Sequence, residues 1–283
     1  DDNILGGNGV DWVSYAELTA ASEGVTVNLA TGRATGSAGS DTLVDIQNVL
    51  AGAGNDSLLG DTLANVLTGG GGGDTLQGAA GNDNLNGGEG LDWVSYAELT
   101  GTQSVTVNLT TGRATGSAGS DTLGGIENVL AGAGNDSLLG DGLANLLSGG
   151  GGNDSLTGGI GNDTLNGGAG NDILIGETGR DQFIFETALS STNVDTIQGY
   201  SVADDTILLD NSIFDNVGEV GTLAASALTI GTAATTTEHR IIYNSTTGAL
   251  LYDADGSGGV AAVQFATLTG VSGTIVSAEF LII

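Results

Sequence analysis

The chain is written in units of nine residues, and that rhythm limits its fold more than any other feature. Between 51 and 95 it reads AGAGNDSLL, GDTLANVLT, GGGGGDTLQ, GAAGNDNLN and GGEGLDWVS. Between 131 and 184 it reads AGAGNDSLL, GDGLANLLS, GGGGNDSLT, GGIGNDTLN, GGAGNDILI and a worn GETGRDQFI. Another unit, GGNGVDWVS, occupies 6–14, behind the tail of an earlier one, Asp2-Asn3-Ile4-Leu5, so the sequence reads as a piece of something longer. Each unit joins a polar six-residue loop to a triplet x-U-x, where U is Leu, Ile or Val. Glycine lets so short a loop turn tightly. In the extended triplet the middle side chain points to one face. Leu58, Leu67, Leu76, Leu85 and Val94 then form an inward file, as do Leu138, Leu147, Leu156, Leu165 and Leu174. Two units make one coil with two strands. A single coil cannot bury its own leucines, so coils must stack, with strands paired in parallel along the axis. The expected fold class is all-β: a parallel β-roll, or β-solenoid.

The sixth position of the unit is nearly always Asp, and the next one on the same edge comes eighteen residues later. Asp56 and Asp74, Asp74 and Asp92, Asp136 and Asp154, Asp154 and Asp172, and Asp163 and Asp181 form such pairs. Stacked carboxylates repel unless a cation lies between them, and glycine turns free backbone carbonyls as further oxygen donors. An irregular, all-oxygen cage suits Ca²⁺ better than Mg²⁺ or soft metals. Asp as a mere loop former accounts poorly for so many units in register. Asn65 and Asn145 replace the Asp, and weaker or missing calcium is expected there.

A longer repeat has a period near 80: DWVSYAELT at 11–19 recurs at 92–100, and TGRATGSAGSDTL at 31–43 recurs at 111–123. The segments 15–47 and 96–130 leave the nine-residue period. Their VTVNL reads as a strand, with a hairpin loop at Ala30-Thr31-Gly32 or Thr110-Thr111-Gly112. Wider coils or a β-flap continuing the roll are expected there, without calcium sites of the same type. The organisation expected is a first long repeat over 1–95, a second over 96–180, and a C-terminal β-rich module over 181–283 that caps the roll.

Composition narrows the functions. The net charge is -30, with Arg33, Arg113, Arg180 and Arg240 the only basic side chains besides one histidine. Such a chain repels itself when compact and needs cations to fold. It lacks the basic surface that nucleic acid requires, and nothing draws it to or inserts it into membranes. A hydrophobic fraction of 39% argues against disorder, and the absence of Cys excludes disulfides and thiolate metal sites.

The units GGGGNDSLT, GGIGNDTLN and GGAGNDILI match the pattern GGxGxDxUx, and the chain resembles the RTX, or hemolysin-type, calcium-binding repeat family. The resemblance implies a β-roll with Ca²⁺ between neighbouring loops. It also implies that carbonyls at positions two and four of one loop join those at one and three of the loop eighteen on. Carried onto this chain, Gly52, Gly54 and Asp56 face Gly69, Gly71 and Asp74, while Gly70 and Gly72 with Asp74 face Gly87, Glu89 and Asp92. Gly78, Ala80 and Asp83 belong to a further loop. Gly132, Gly134 and Asp136 face Gly149, Gly151 and Asp154. Gly150, Gly152 and Asp154 face Gly167, Ala169 and Asp172, and Gly159, Gly161 and Asp163 face Gly176, Thr178 and Asp181. Asp2 and Asp11 are the corresponding ligands near the start.

After Asp181 the rhythm stops. Phe183-Ile184-Phe185, Asp195-Thr196-Ile197, Thr206-Ile207-Leu208-Leu209, Arg240-Ile241-Ile242-Tyr243 and Ala249-Leu250-Leu251-Tyr252 read as short strands of a cap, which protects the open β-edge of a solenoid. DTIQGYSVADDTILLD, HRIIYNSTTGALLYDADGSGG, VQFATLTG and the ending Glu279-Phe280-Leu281-Ile282-Ile283 are similar to the C-terminal module of type I secreted RTX proteins. That resemblance implies export through the type I secretion machinery, a secreted or cell-surface location, and folding on external Ca²⁺. Asp253-Ala254-Asp255-Gly256 resembles the start of an EF-hand, but its twelfth position is Gln264 rather than Glu, so it is read as a turn. His239, the only histidine, has no readable catalytic partner, nor have Ser14 and Ser95, and the chain is not expected to be an enzyme. Trp12 and Trp93 are read as core or flap anchors. The function expected is that of a secreted calcium-binding module of a larger exoprotein. The alternatives are a structural protein or adhesin that assembles with copies of itself into an array or fibre, and an accessory module of a polysaccharide-acting exoenzyme.

Overall fold

The computed structural model describes residues 1–283. It is all-β apart from two single-turn 3-10 helices, Ala225–Ala227 and Ser277–Glu279. No helix is long and apolar enough to cross a membrane. The chain forms two compact units, Asp1–Gly134 and Asn135–Ile283, and the boundary falls inside the second AGAGNDSLL.

In the first unit successive nine-residue repeats alternate between two parallel sheets. Asn48–Leu50, Val66–Gly71 and Asn84–Glu89 line up in one, with Val49 opposite Leu67 and Leu67 opposite Leu85. Ser57–Leu59, Thr75–Gln77, Trp93–Ser95 and Asn128–Leu130 line up in the other, through Leu58, Leu76, Val94 and Val129. The inward file is as the triplets require: Leu67, Leu76, Leu85 and Val94 are 0% exposed. Each such side chain contributes about 1.5–3 kcal/mol on burial, which only stacking makes available.

The inserted segments are β-flaps that continue the roll. Val25–Asn28 turns back on Arg33–Gly36, which turns back on Gly39–Val44, an antiparallel meander. Its outer strands rejoin parallel neighbours, Val27 opposite Leu58 and Leu43 opposite Ile4. The hairpin loop closes where expected: Gly32 has φ 65°, and Asn28 Oδ1 accepts the Thr31 N–H at 2.8 Å. The second copy, Val105–Asn108, Arg113–Gly116 and Gly119–Gly124, repeats the meander beside Asn84–Glu89. The two copies lie in opposite sheets, because six strands, an even number, lie between them and successive strands alternate between the sheets.

Trp12 departs from the expectation of a core or flap anchor: it is 51% exposed. It is the first residue of its triplet, and the pleat turns that residue outward while Val13 goes in. Trp93, in the same repeat position, lies half-buried on the outer face beside Thr75, Ser95 and Leu130.

In the second unit one sheet runs Ser137–Leu139, Ser155–Ile160, Ile173–Thr178, Asp195–Gln198 and Val263–Thr269 in parallel. It ends in antiparallel Ala249–Tyr252 and Ile241–Asn244, with Leu228–Ile230 at its edge. The other sheet runs Leu146–Ser148, Thr164–Asn166, Gln182–Phe185, Thr206–Leu209 and Phe280–Ile282. The core changes character along the unit. Leu147, Leu156, Leu165 and Leu174 give way to Phe185, Phe265, Phe214 and Tyr252, in edge-to-face contacts at 5.1–5.4 Å. Such ring pairs add about 0.5–1.5 kcal/mol each beyond area burial. The cap thus replaces the repeat's short rungs by bulk.

Candidate metal centre

The glycines of the regular loops serve two distinct needs. Positions two and four lie in the left-handed region, with φ 113° at Gly70 and 107° at Gly72, 91° at Gly168 and 142° at Gly170, whereas Gly52, Gly54, Gly132 and Gly134 in the two AGAGND loops do not. Ala79 and Glu177, which stand at position two, adopt φ 66° and 69° despite their side chains. Position one has no such φ, and glycine is needed there for space. A Cβ at Gly69, Gly78, Gly149, Gly158, Gly167 or Gly176 would overlap Oδ2 of the Asp five residues on.

Those aspartates form a ladder. Each accepts, at Oδ1, the backbone N–H of the residue one coil earlier. Asp74 accepts from Asp56 at 2.8 Å, Asp92 from Asp74 at 2.7 Å and Asp83 from Asn65 at 2.8 Å. In the second unit Asp154 accepts from Asp136 at 2.7 Å, Asp172 from Asp154 at 2.8 Å and Asp181 from Asp163 at 2.9 Å. The second oxygen is left over. Oδ2 of Asp11, Asp74, Asp83, Asp92, Asp154, Asp163, Asp172 and Asp181 is buried with no hydrogen-bond partner. Leaving one such acceptor unpaired costs about 1–3 kcal/mol, and more when it is charged.

Backbone carbonyls converge on the same places. Both Asp154 Oδ2 and the Gly167 carbonyl oxygen, the latter at 2.7 Å, crowd the point where a Gly149 Cβ would stand. The Gly150 and Gly152 carbonyls point at Gly168 and Gly170 of the next loop. The third-position carbonyls of Glu89, Ala169 and Thr178 accept N–H groups from Gly72, Gly152 and Gly161 at 2.8–2.9 Å, each keeping a second lone pair. Nowhere do three or more His, Cys, Asp or Glu side chains cluster. The loops of these eight aspartates therefore each offer one orphaned carboxylate oxygen amid carbonyls. That is the donor set of a hard cation, and Ca²⁺, with six to eight oxygens in loose geometry, fits it.

Electrostatics agree. Burial pushes the Asp74 and Asp154 carboxyls up to about 7, aided by the neighbouring ladder charges and opposed by the N–H bonds. Burial likewise raises Asp83 and Asp181 to about 6, and raises Asp92, Asp163 and Asp172. Without a cation these groups resist ionisation. A divalent ion reverses that by supplying the charge that burial removed.

The ladder does not treat all sequence-derived ligands alike. Asp56 has both oxygens engaged, Oδ1 by Val25 N–H at 2.6 Å and Oδ2 by Gly52 N–H at 3.2 Å. Asp2 is exposed, and its backbone N–H donates to Asp41. Gly52 and Gly54 pack against Leu18 and Glu23, and Gly132 and Gly134 against Leu99 and Gln103, so these loops meet the flap segments. Asp136 is buried at the start of the second unit. Gly71 and Gly151 stand opposite Glu89 and Ala169, and Ala80 is exposed at the third position of its loop. Asn65 fills its rung without an orphan: Oδ1 accepts Asp61 N–H and Nδ2 donates to the Gln47 carbonyl, both at 2.8 Å.

Sequence reasoning missed four rungs. Asp41, Asp121, Asp195 and Asp205 accept N–H groups from Asp2, Asp83, Asp172 and Asp181 at 2.9–3.1 Å. Each precedes Thr and then Leu or Ile, the end of the repeat motif, which is the signal that marks them. At the flaps the second oxygen is closed off: Tyr15 donates to Asp41 at 3.0 Å and Tyr96 to Asp121 at 2.9 Å. Burial, with the charge of the bonded Asp, holds both phenols protonated. An asparagine ladder at position five was also missed. Asn55, Asn135, Asn153 and Asn162 each accept, through Oδ1, an N–H one coil later at 2.8–2.9 Å. In the cap, His239 Nδ1 accepts Thr235 N–H at 3.1 Å, and Asp255 Oδ2 accepts Gly259 N–H at 2.9 Å, which closes a turn.

Residues 59–94, 121–156 and 148–183 match the family of the RTX calcium-binding nonapeptide repeat (4 copies). Among solved structures, the AlgE6R3 subunit of the Azotobacter vinelandii mannuronan C5-epimerase is similar at 27% identity and TM-score 0.32, over 47% of this chain and 69% of that one. The extracellular lipase LipA from Serratia marcescens is similar at 18% identity and TM-score 0.31, over 81% of this chain and 40% of the lipase. A comparison with curated proteins finds no match. Within 59–94 and 121–183 the loops that carry the aspartate ladder match that calcium-binding nonapeptide repeat, and the fold they build is a β-roll.

Proposed function

We propose that this chain is a secreted calcium-binding protein whose roll forms outside the cell when Ca²⁺ fills the spaces between stacked loops. The observation that carries the reading is the set of eight buried Asp Oδ2 atoms without partners. Each ion takes one such oxygen, the first- and third-position carbonyls of the next loop, and the second- and fourth-position carbonyls of its own. The long repeats over 1–95 and 96–180 provide the roll, and 181–283 caps it and bears a type I export signal. A net charge of -30 keeps the cation-free chain expanded for export, and external Ca²⁺ then supplies the folding free energy. The chain works by binding rather than by catalysis. Far-ultraviolet circular dichroism during a Ca²⁺ titration tests this. β-signal is expected to appear cooperatively below or near millimolar Ca²⁺ and to vanish with EDTA; β-content indifferent to EDTA refutes the reading. Export of a passenger fused to 181–283 by a type I system tests the signal.

A further inference from the structure

The geometry points to a cation site outside the nonapeptide register, between the loop 87–92 and the short turn 124–127 by which the second flap returns to the roll. This inference rests on the calcium reading above but concerns a partner turn, 124–127, that no nine-residue unit supplies. The loop at 87–92 has no nonapeptide loop eighteen residues on; the flap intervenes. Its aspartate is nevertheless placed as if one were there. Asp92 is 0% exposed, and its Oδ2 has no partner. That oxygen lies 2.5 Å from the point where a Gly87 Cβ would stand, and the Gly125 carbonyl oxygen crowds the same point. The Gly88 carbonyl oxygen faces Gly125, 2.9 Å from where its Cβ would be. Gly125, at φ 54°, thus takes the parts of both the first and second loop positions.

Glu127 takes the part of the ladder aspartate. Its Oε2 accepts the Asp92 N–H at 2.9 Å, as Asp92 Oδ1 accepts the Asp74 N–H at 2.7 Å. The longer side chain compensates for a turn shorter than a six-residue loop. Asp92, Glu127 and the Gly88 and Gly125 carbonyls form an all-oxygen set with two carboxylates, suited to Ca²⁺.

The first copy has the same frame with an amide where the second has the glutamate that accepts the aspartate N–H, and the carboxylate of Asp45, which stands in place of Gly125, is exposed. Asp11 Oδ2 is also buried and unpartnered, and the Asp45 carbonyl oxygen, at φ 55°, crowds the Gly6 Cβ position. There the Asp11 N–H donates to Gln47 Oε1 at 2.8 Å, an amide in place of the glutamate. The two copies therefore form a strong and a weak site of one design.

Trp12 and Trp93, the only tryptophans, directly follow Asp11 and Asp92 and report on these sites. Terbium luminescence, excited where indole absorbs and tyrosine does not, is measured on the full chain carrying Trp93→Phe or Trp12→Phe. With Trp12 alone, Gln47→Glu is expected to tighten terbium binding about tenfold, from one added charge beside the ion. Asp11→Asn, isosteric with the asparagine that fills the rung at 65, is expected to remove the signal. With Trp93 alone, Glu127→Gln is expected to weaken part of the signal about tenfold. Midpoints unmoved by both Gln47→Glu and Glu127→Gln, in protein that circular dichroism shows to be folded, overturn this inference and leave the general calcium reading standing. Failure of the chain to fold with any cation overturns both.

Discussion

Two glycines in one loop separate a requirement for space from a requirement for flexibility. Gly69 and Gly71 both lie outside the positive-φ set, so alanine meets neither with backbone strain. At 71 an added Cβ has only ordinary contacts, Ala53 Cα at 3.8 Å and the Glu89 carbonyl at 3.9 Å. At 69 it overlaps Asp74 Oδ2 and stands 2.7 Å from the Gly87 carbonyl oxygen, inside the 3.0 Å that real Cβ atoms essentially never cross. These are the oxygens proposed to meet the ion. Asp74 is 0% exposed and cannot swing to solvent, so relief breaks its bond to the Asp56 N–H. Overpacking costs about 1–3 kcal/mol and the lost bond about 1 kcal/mol. Losing one ion costs about 1.4 kcal/mol more at a calcium concentration ten times Kd. Gly69→Ala is therefore expected to lose about 3–5 kcal/mol and one ion per chain. Gly71→Ala, which keeps its carbonyl, is expected to be neutral or to gain up to about 1 kcal/mol by restricting the unfolded chain. Thermal unfolding at fixed Ca²⁺ and calorimetric ion counting measure both. Equal stability and equal ion number in the two variants would refute the assignment of the space beside Gly69 to a cation.

Three further outcomes follow from the ladder. The folded, cation-free chain holds Asp74 and Asp154 protons up to about 7, whereas the unfolded chain releases them near pH 4. The native state thus binds more protons across that window, so stability in EDTA falls as pH rises from about 4 to about 7, while calcium affinity rises. Circular dichroism in EDTA that finds more structure at pH 8 than at pH 5 contradicts this. Tyr96→Phe strips Asp121 Oδ2 of its donor and is expected to cost about 1–3 kcal/mol in chemical denaturation, and an unchanged midpoint counts against the capped rung. Asn65→Asp sets an oxygen against the Gln47 carbonyl and is expected to bind one extra ion in Ca²⁺, which calorimetry counts; an unchanged ion number counts against the rung as a cation site.

The local period by itself determined the roll. Nine residues with one inward aliphatic and one loop aspartate leave a single way to bury Leu67, Leu76 and Leu85 together, and they place Asp74 over Asp92 whatever the rest of the chain does. It also singled out Asn65, because an amide cannot leave an ionic oxygen behind. What it left undecided depends on partners distant in sequence. Only tertiary pairing put the two near-identical flaps in opposite sheets, since that turns on how many strands lie between them. Only packing decided that Tyr15 and Tyr96 close the flap rungs, that Trp12 faces outward, and that Phe185, Phe214, Phe265 and Tyr252 meet in the cap. Gln47 and Glu127 look like ordinary turn residues until a hydrogen bond across 35 or 36 positions sets them under Asp11 and Asp92. Periodic sequence encodes contacts that recur at one fixed spacing, and these contacts have none; their distances are set by the flap, which only the folded chain closes.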